Sequence, residues 1–300
     1  MVGIQLKNLM KRFPQVAQNA AAQEALCTQV VVDTHVEIRK VGCSIISLAV
    51  REEVWPATPV LQSLVGVLQQ KTNDLNAQHG IMRALAEITA DAIANLDVNQ
   101  VTHHVVNAAA PYLTQNLGDS PEALQVRENA FEVIMAVLEN AGEAVDNPQQ
   151  CYSHYVMQSG IVQVIEACFL NLQQPVSKSI SVTCVKVLTL SLIFYDAIDE
   201  NLFNRMADLM SQVLASSDDH SGRDEELRMA ATDFFTVAPN IPKFYSLALT
   251  AVLKVIPIVI RSMVLSDMEM AGLQANKETG RCRTRRRTFA PVTTAPDSSK

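Results

Sequence analysis

Aromatic residues make up only 5% of this 300-residue chain, glycine occupies only 10 positions, and stretches of strict polar/apolar alternation are hard to find. That scarcity disfavours a sheet-based domain, which draws on aromatic and β-branched residues with a period of two. The six cysteines (Cys27, Cys43, Cys151, Cys168, Cys184 and Cys282) are scattered, and none stands at a CxxC or other metal-ligand spacing. No zinc site is expected, and the first five read as buried thiols in a reducing compartment. The opening MVGIQLKNLMKRF has no continuous apolar core, so it does not read as a secretory leader. The longest apolar run, IPIVIRSMVL, is interrupted by Pro257 and Arg261, and no membrane insertion is expected. Nucleophile elbow, phosphate loop and zinc-helix motifs are also missing. The expectation is therefore a protein without catalytic residues, metal or cofactor, in the cytoplasm or nucleus.

Hydrophobic residues make up 48% of the chain, with Ala, Val, Leu, Gln and Met abundant. They recur every three or four positions, which is the pattern of amphipathic helices. One helix is expected from about His35 to Val50, with Asp33 or Thr34 near its start, and a second from about Thr58 to Gln70 after Trp55 and Pro56. Asn73 and Asp74 open a third. Further helices fit residues 98–117, 121–144, 151–173, 177–198, 201–215, 224–238 and 245–265, with turn signals between them.

Every second helix can be brought into one register, so that Arg39, His79, Arg127, Ser181 and Arg228 take equivalent positions. Their spacing of about 40 to 54 residues, with two helices per unit, predicts an all-α HEAT-type or armadillo-like solenoid of about six helical hairpins. A small residue recurs a few positions on, at Ser44, Ala84 and Ala231, where neighbouring helices must approach closely. The arginine and histidine series suggests a ladder between successive hairpins. The stack is expected over residues 1–270, and residues 271–300, without periodic apolar pattern, as a disordered Arg-rich tail. That tail carries 7 Lys/Arg against 2 Asp/Glu, leaving 17 against 29 for residues 1–270, so the body is near −12 and the tail near +5. An acidic body makes nucleic acid an unlikely partner and favours basic proteins. The adjacent pair His103 and His104 points about 100° apart on a helix and has no third ligand at a suitable spacing.

Several strings resemble a known family. GIQLKN at Gly3–Asn8 is similar to the GxxLKN segment in an early repeat of the importin-β/transportin nuclear transport receptors. EIRKVGCSIISLAVREEVWPATPVLQSLVGVL resembles the next hairpin, through Ile38, Arg39, Gly42, Trp55, Pro56, Leu61 and Leu64. HGIMRAL at His79–Leu85 is similar to the core of the following repeat, SPEALQVRENA keeps step, and VLKVIPIVIRSMVLSDMEM resembles a later Ile-Pro helix. The strings are collinear from about Gly3 to Glu269 and lean towards transportin.

The resemblance implies a right-handed HEAT solenoid that binds the GTP form of the Ran GTPase on its second helices and phenylalanine-glycine nucleoporins on its outer helices. It would act in protein import, in cytoplasm and nucleus and at the nuclear envelope pore. Lys7, Asn8, Glu37, Lys40, Gln78 and Glu128, expected to be exposed on second helices, are the candidate Ran contacts. GIQLKNLMKRF reads as half a hairpin, so the chain is expected to be a fragment lacking a first repeat or two. Basic cargo would then bind only if the missing repeats were present. RCRTRRRTF stands where a transportin would have an acidic loop. The alternative from periodicity alone is a HEAT scaffold of another assembly, such as a phosphatase regulatory subunit.

Overall fold

The computed structural model describes residues 19–92, 98–143, 152–174, 177–216 and 225–263. The described residues are all-helical and contain no strand. Eleven α-helices follow in order: α1 Ala20–Ala25, α2 Val36–Arg51, α3 Ala57–Gln70, α4 Leu75–Ala92, α5 Val98–Ala109, α6 Pro121–Glu143, α7 Tyr152–Gln173, α8 Lys178–Ser191, α9 Glu200–Ser216, α10 Glu225–Val237 and α11 Tyr245–Met263. The expected boundaries hold to within a few residues except where a helix tightens. Residues 98–117 end as α-helix at Ala109, because Pro111 supplies no N–H and the chain passes into a 3₁₀ turn, Ala110–Leu113. The helix begun at Lys178 likewise ends at Ser191 in a 3₁₀ turn, Leu192–Phe194.

Side-chain caps fix several starts. Asp74 Oδ1 accepts the N–H groups of Asn76 and Ala77 at 3.1 and 3.2 Å, Ser120 Oγ that of Ala123 at 3.2 Å, and Asp199 Oδ1 that of Leu202 at 2.7 Å. At the start of α2 the cap position belongs to His35, whose N–H donates to Asp33 Oδ1 at 2.7 Å. The end of α2 closes in a Schellman motif: Val54 N–H bonds Ala49 O, Glu53 N–H bonds Val50 O, and Glu53 takes a φ of 56°. This reversal brings buried Trp55 back against the helix and aims Pro56 into α3.

The described residues up to Val255 form one compact unit. In it the helices pair as α3 with α4, α5 with α6, α7 with α8, and α9 with α10, while α1, continued by a π-helical turn Leu26–Val30, precedes α2. Second helices pack in sequence, α2 on α4, α4 on α6, α6 on α8 and α8 on α10. First helices form the other layer, with the π-helical turn against α3, α3 against α5 and α5 against α7. The result is a two-layer stack of five pairs, consistent with an α-solenoid, followed by α11. Its core includes Ile46, Leu61, Leu64, Ile81, Leu85, Phe131, Ile165 and Val185. At the last joint Phe244 stacks on Phe203 with centroids 4.4 Å apart, and Phe203 stacks on Phe234 at 6.0 Å.

A second unit begins at Ile256, within α11. The segment Pro242–Ile260 has the length and mean hydropathy (1.8) of a membrane span, with 22% of its window buried. The interruptions at Lys254 and Pro257 are diluted over its length, so that run-based inspection of the sequence passes it over. Lys243, at its start, donates to Tyr195 O and Ile198 O at 2.8 and 2.9 Å. The expected tail, residues 271–300, lies outside the described residues.

Candidate partner-binding faces

The joint between the first two pairs is built around a buried arginine. Arg39 is 1% exposed; its Nε donates to His79 Nδ1 at 3.1 Å, and its Nη1 donates to Asp33 O at 2.7 Å, Thr34 O at 3.0 Å and Asn76 Oδ1 at 2.9 Å. The sequence register anticipates the Arg39–His79 rung, and Asp33 takes part in it through its carbonyl. Burial and the nearby Arg39 charge push His79 down to a pKa of about 4, so its imidazole is neutral at pH 7 and Nδ1 is free to accept. Beside this rung, a Cβ on Gly80 would stand 1.7 Å from Val31 O, so only glycine admits the π-helical turn there. Cys43 Sγ donates to Gly80 O at 3.1 Å, and burial raises the Cys43 thiol to about 12.

The exposed side of the second-helix layer carries a strip of carboxylates tied across helices. Glu87 on α4 pairs with Arg83 at 2.8 Å and receives Ser44 Oγ of α2 at 3.3 Å. Glu128 on α6 receives Gln125 Nε2 at 3.1 Å and is hydrogen-bonded by Ser179 of α8. Glu132 lies between these groups: partial burial, then repulsion from Glu128 and Glu87, raises its pKa against the attraction of Arg83. Further along, Lys186 of α8 pairs with Glu226 of α10 at 3.2 Å, beside exposed Met229.

The sequence candidates distribute unevenly over this face. Glu37 is exposed and pairs with Lys40 at 3.0 Å, one turn along α2. Glu128 belongs to the strip. Gln78 does not: it is 3% exposed and its amide nitrogen bonds Thr72 O, because the first turn of α4 tucks beneath the turn that precedes it. Lys7 and Asn8 lie outside the described residues. Sequence inspection missed Glu87 and Glu132. Their signal was present, because Glu87 follows Arg83 and Glu132 follows Glu128 by one helical turn on the side opposite the apolar stripe.

First helices leave open grooves between them. One of about 360 Å³ between α3 and α5 is lined by Val65, Leu68, His104, Ala108 and Tyr112, among others. Another of about 200 Å³ between α7 and α9 is lined by Phe169, Arg205 and Leu209. Beside it, Arg205 forms a bidentate pair with Glu166 at 2.6 and 2.9 Å and lies 4.6 Å over the Phe169 ring. The hydrogen bond from Arg205 holds the Glu166 carboxyl below the usual range.

No His/Cys/Asp/Glu cluster able to hold a metal ion occurs among the described residues. The His103 and His104 rings meet edge to face at 6.3 Å, and His103 Nε2 lies 2.9 Å from Asn107 Nδ2. Cys27, Cys43, Cys168 and Cys184 are buried free thiols. No protein-family model and no curated protein matches the chain.

Proposed function

We propose that the chain is a non-catalytic binding module of a nuclear transport receptor of the importin-β/transportin type, with a right-handed HEAT stack as its framework. The observation that carries this reading is that the strings resembling the family coincide with the residues that make the first joint. Arg39, Gly42, Trp55, Pro56, His79 and Gly80 are the arginine rung, the close approaches and the turn that lock pair one onto pair two.

On this reading the carboxylate strip of Glu87, Glu128 and Glu132, with Glu37 and Lys40 beside it, meets a basic surface on Ran in its GTP form. Half-buried carboxylates that repel one another gain most from an incoming Lys or Arg, which supports a basic partner. The grooves between first helices, apolar at their floors, would receive phenylalanine side chains of nucleoporins. Basic cargo would be bound only where further repeats are present. The test is a pull-down of Ran loaded with GTP, with the GDP form as control, using this chain and a version extended upstream by further repeats. GTP-selective capture supports the reading; capture of neither form by either version refutes it.

The second reading, a HEAT scaffold of another assembly such as a phosphatase regulatory subunit, is favoured by the depth of the Arg39 rung. A buried ladder serves any such stack, whatever binds its surface.

A further inference from the structure

The ladder that closes the first joint is broken at the third pair. Arg127 occupies the position on α6 that Arg39 occupies on α2, and it makes the equivalent bond to its own preceding turn, Nη2 to Gln115 O at 2.9 Å. The rest of the rung is missing. Where Arg39 finds the acceptors Asn76 and His79 at the start of the next second helix, the sequence register gives Arg127 Lys178 and Ser181. Lysine has no acceptor, and the Ser181 hydroxyl donates to Ser177 O at 3.1 Å. Arg127 Nε is consequently buried without a hydrogen-bond partner. An unpaired buried N–H on a charged group is costly, while the Nη2 end of the same guanidinium, whose bond to Gln115 O is exposed, stays within reach of a ligand.

At this position the surface opens into a cleft of about 340 Å³ to which Arg127 contributes. Leu113 and Leu170 line its apolar part, the latter 58% exposed. Asn171 is 6% exposed and rigidly held, with its amide donating to Leu113 O at 2.9 Å and Ala167 O at 2.8 Å. Gln173 and Asp119 stand at the exposed rim.

We propose that this cleft binds an extended peptide segment of a partner protein, with one acidic side chain on the Arg127 guanidinium and an adjacent apolar side chain against Leu113 and Leu170. A carboxylate takes two N–H bonds from a guanidinium fork and is the strongest available complement to it. Asp119 at the rim, on a chain of net charge −7, disfavours phosphate-rich polyanions and leaves a single carboxylate as the ligand class. This site is independent of the Ran reading.

The test uses the full chain and two peptides, acetyl-Ala-Leu-Glu-Ala-amide and its Gln counterpart, with the Arg127 Nε–H resonance, assigned through Arg127→Lys, as readout. The Glu peptide is expected to shift that resonance saturably with a dissociation constant of about 1 mM, and the Gln peptide to bind at least about tenfold more weakly. Ser181→His, which restores the acceptor found at the first joint, is expected to abolish the shift. Leu170→Glu, at an exposed position and so safe for folding, is expected to weaken Glu-peptide binding about tenfold by placing a carboxylate at the mouth. An Nε resonance indifferent to the Glu peptide, equal response to both peptides, or undiminished binding by Leu170→Glu would overturn the proposal.

Discussion

The first joint of the stack and the joint between pairs four and five use the same chemistry at opposite depths. Between pairs one and two, Arg39 is sunk among acceptors at 1% exposure, and a glycine with no room for a Cβ stands beside it. Between the first helices of pairs four and five, Arg205 meets Glu166 with 46% and 44% of the two side chains exposed, in good bidentate geometry. The buried arginine has no solvent to fall back on, so its partners are structural necessities; the exposed one exchanges its partner for water at little cost. Depth, rather than the number of bonds, decides which arginine holds the stack together.

That contrast can be broken first at glycine. Gly80→Ala is expected to cost at least about 3 kcal/mol, because the new methyl group would meet backbone that cannot move aside, whereas Gly160→Ala in α7, with nothing within 4 Å, should stabilise by about 0.5–1 kcal/mol. Urea midpoints of the two variants check both signs. Arg39→Met should cost about 3 kcal/mol, since it strands Asn76, His79 and two turn carbonyls, while Arg205→Met should cost below about 1 kcal/mol in the same measurement.

The pH dependence sharpens the same contrast. Unfolded His79 takes up a proton near the ordinary histidine value of 6.5, but folded His79 does so only near 4. Between these values the unfolded chain binds more protons, so the His79 contribution to stability is present above the window and is lost as pH falls through it. Denaturation midpoints for His79→Gln, whose amide oxygen can still accept from Arg39, should show a shallower acid slope than the wild type. Glu132 behaves oppositely. Its raised pKa means that the folded state binds more protons, so its contribution is fully present below the unfolded value and is lost as pH rises through the folded one. Glu132→Gln should therefore gain a small increment of stability at pH 7 and none near pH 4, again read from denaturation midpoints.

Much of the helical framework was legible because apolar residues at three- and four-residue spacing are separated by Pro, Asp and Asn turn signals. The Arg39–His79 rung was legible too, since repeating the register places both at one position. The π-helical turn Leu26–Val30 was not, because it answers to the packing of Val30 on Gly42 and Val31 on Gly80, contacts between distant segments. Gln78 misled for a similar reason: a polar residue at the start of a helix looks solvated until the preceding turn is seen to cover it. The open cleft beside Arg127 depends on what Ser181 fails to offer. The register placed Ser181 in the ladder, yet the vacancy it leaves becomes visible only when neighbouring helices are set side by side.

The proposed docking of Ran in its GTP form on the carboxylate strip of the second-helix layer can be tested directly. The direct measurement is titration of GTP-loaded and GDP-loaded Ran into the upstream-extended chain, wild type and Glu87→Gln/Glu128→Gln/Glu132→Gln, by calorimetry at two salt concentrations. GTP-selective binding that weakens with salt and falls at least about tenfold in the triple variant is expected; equal binding of both nucleotide forms, or a triple variant that binds as the wild type does, overturns the proposal.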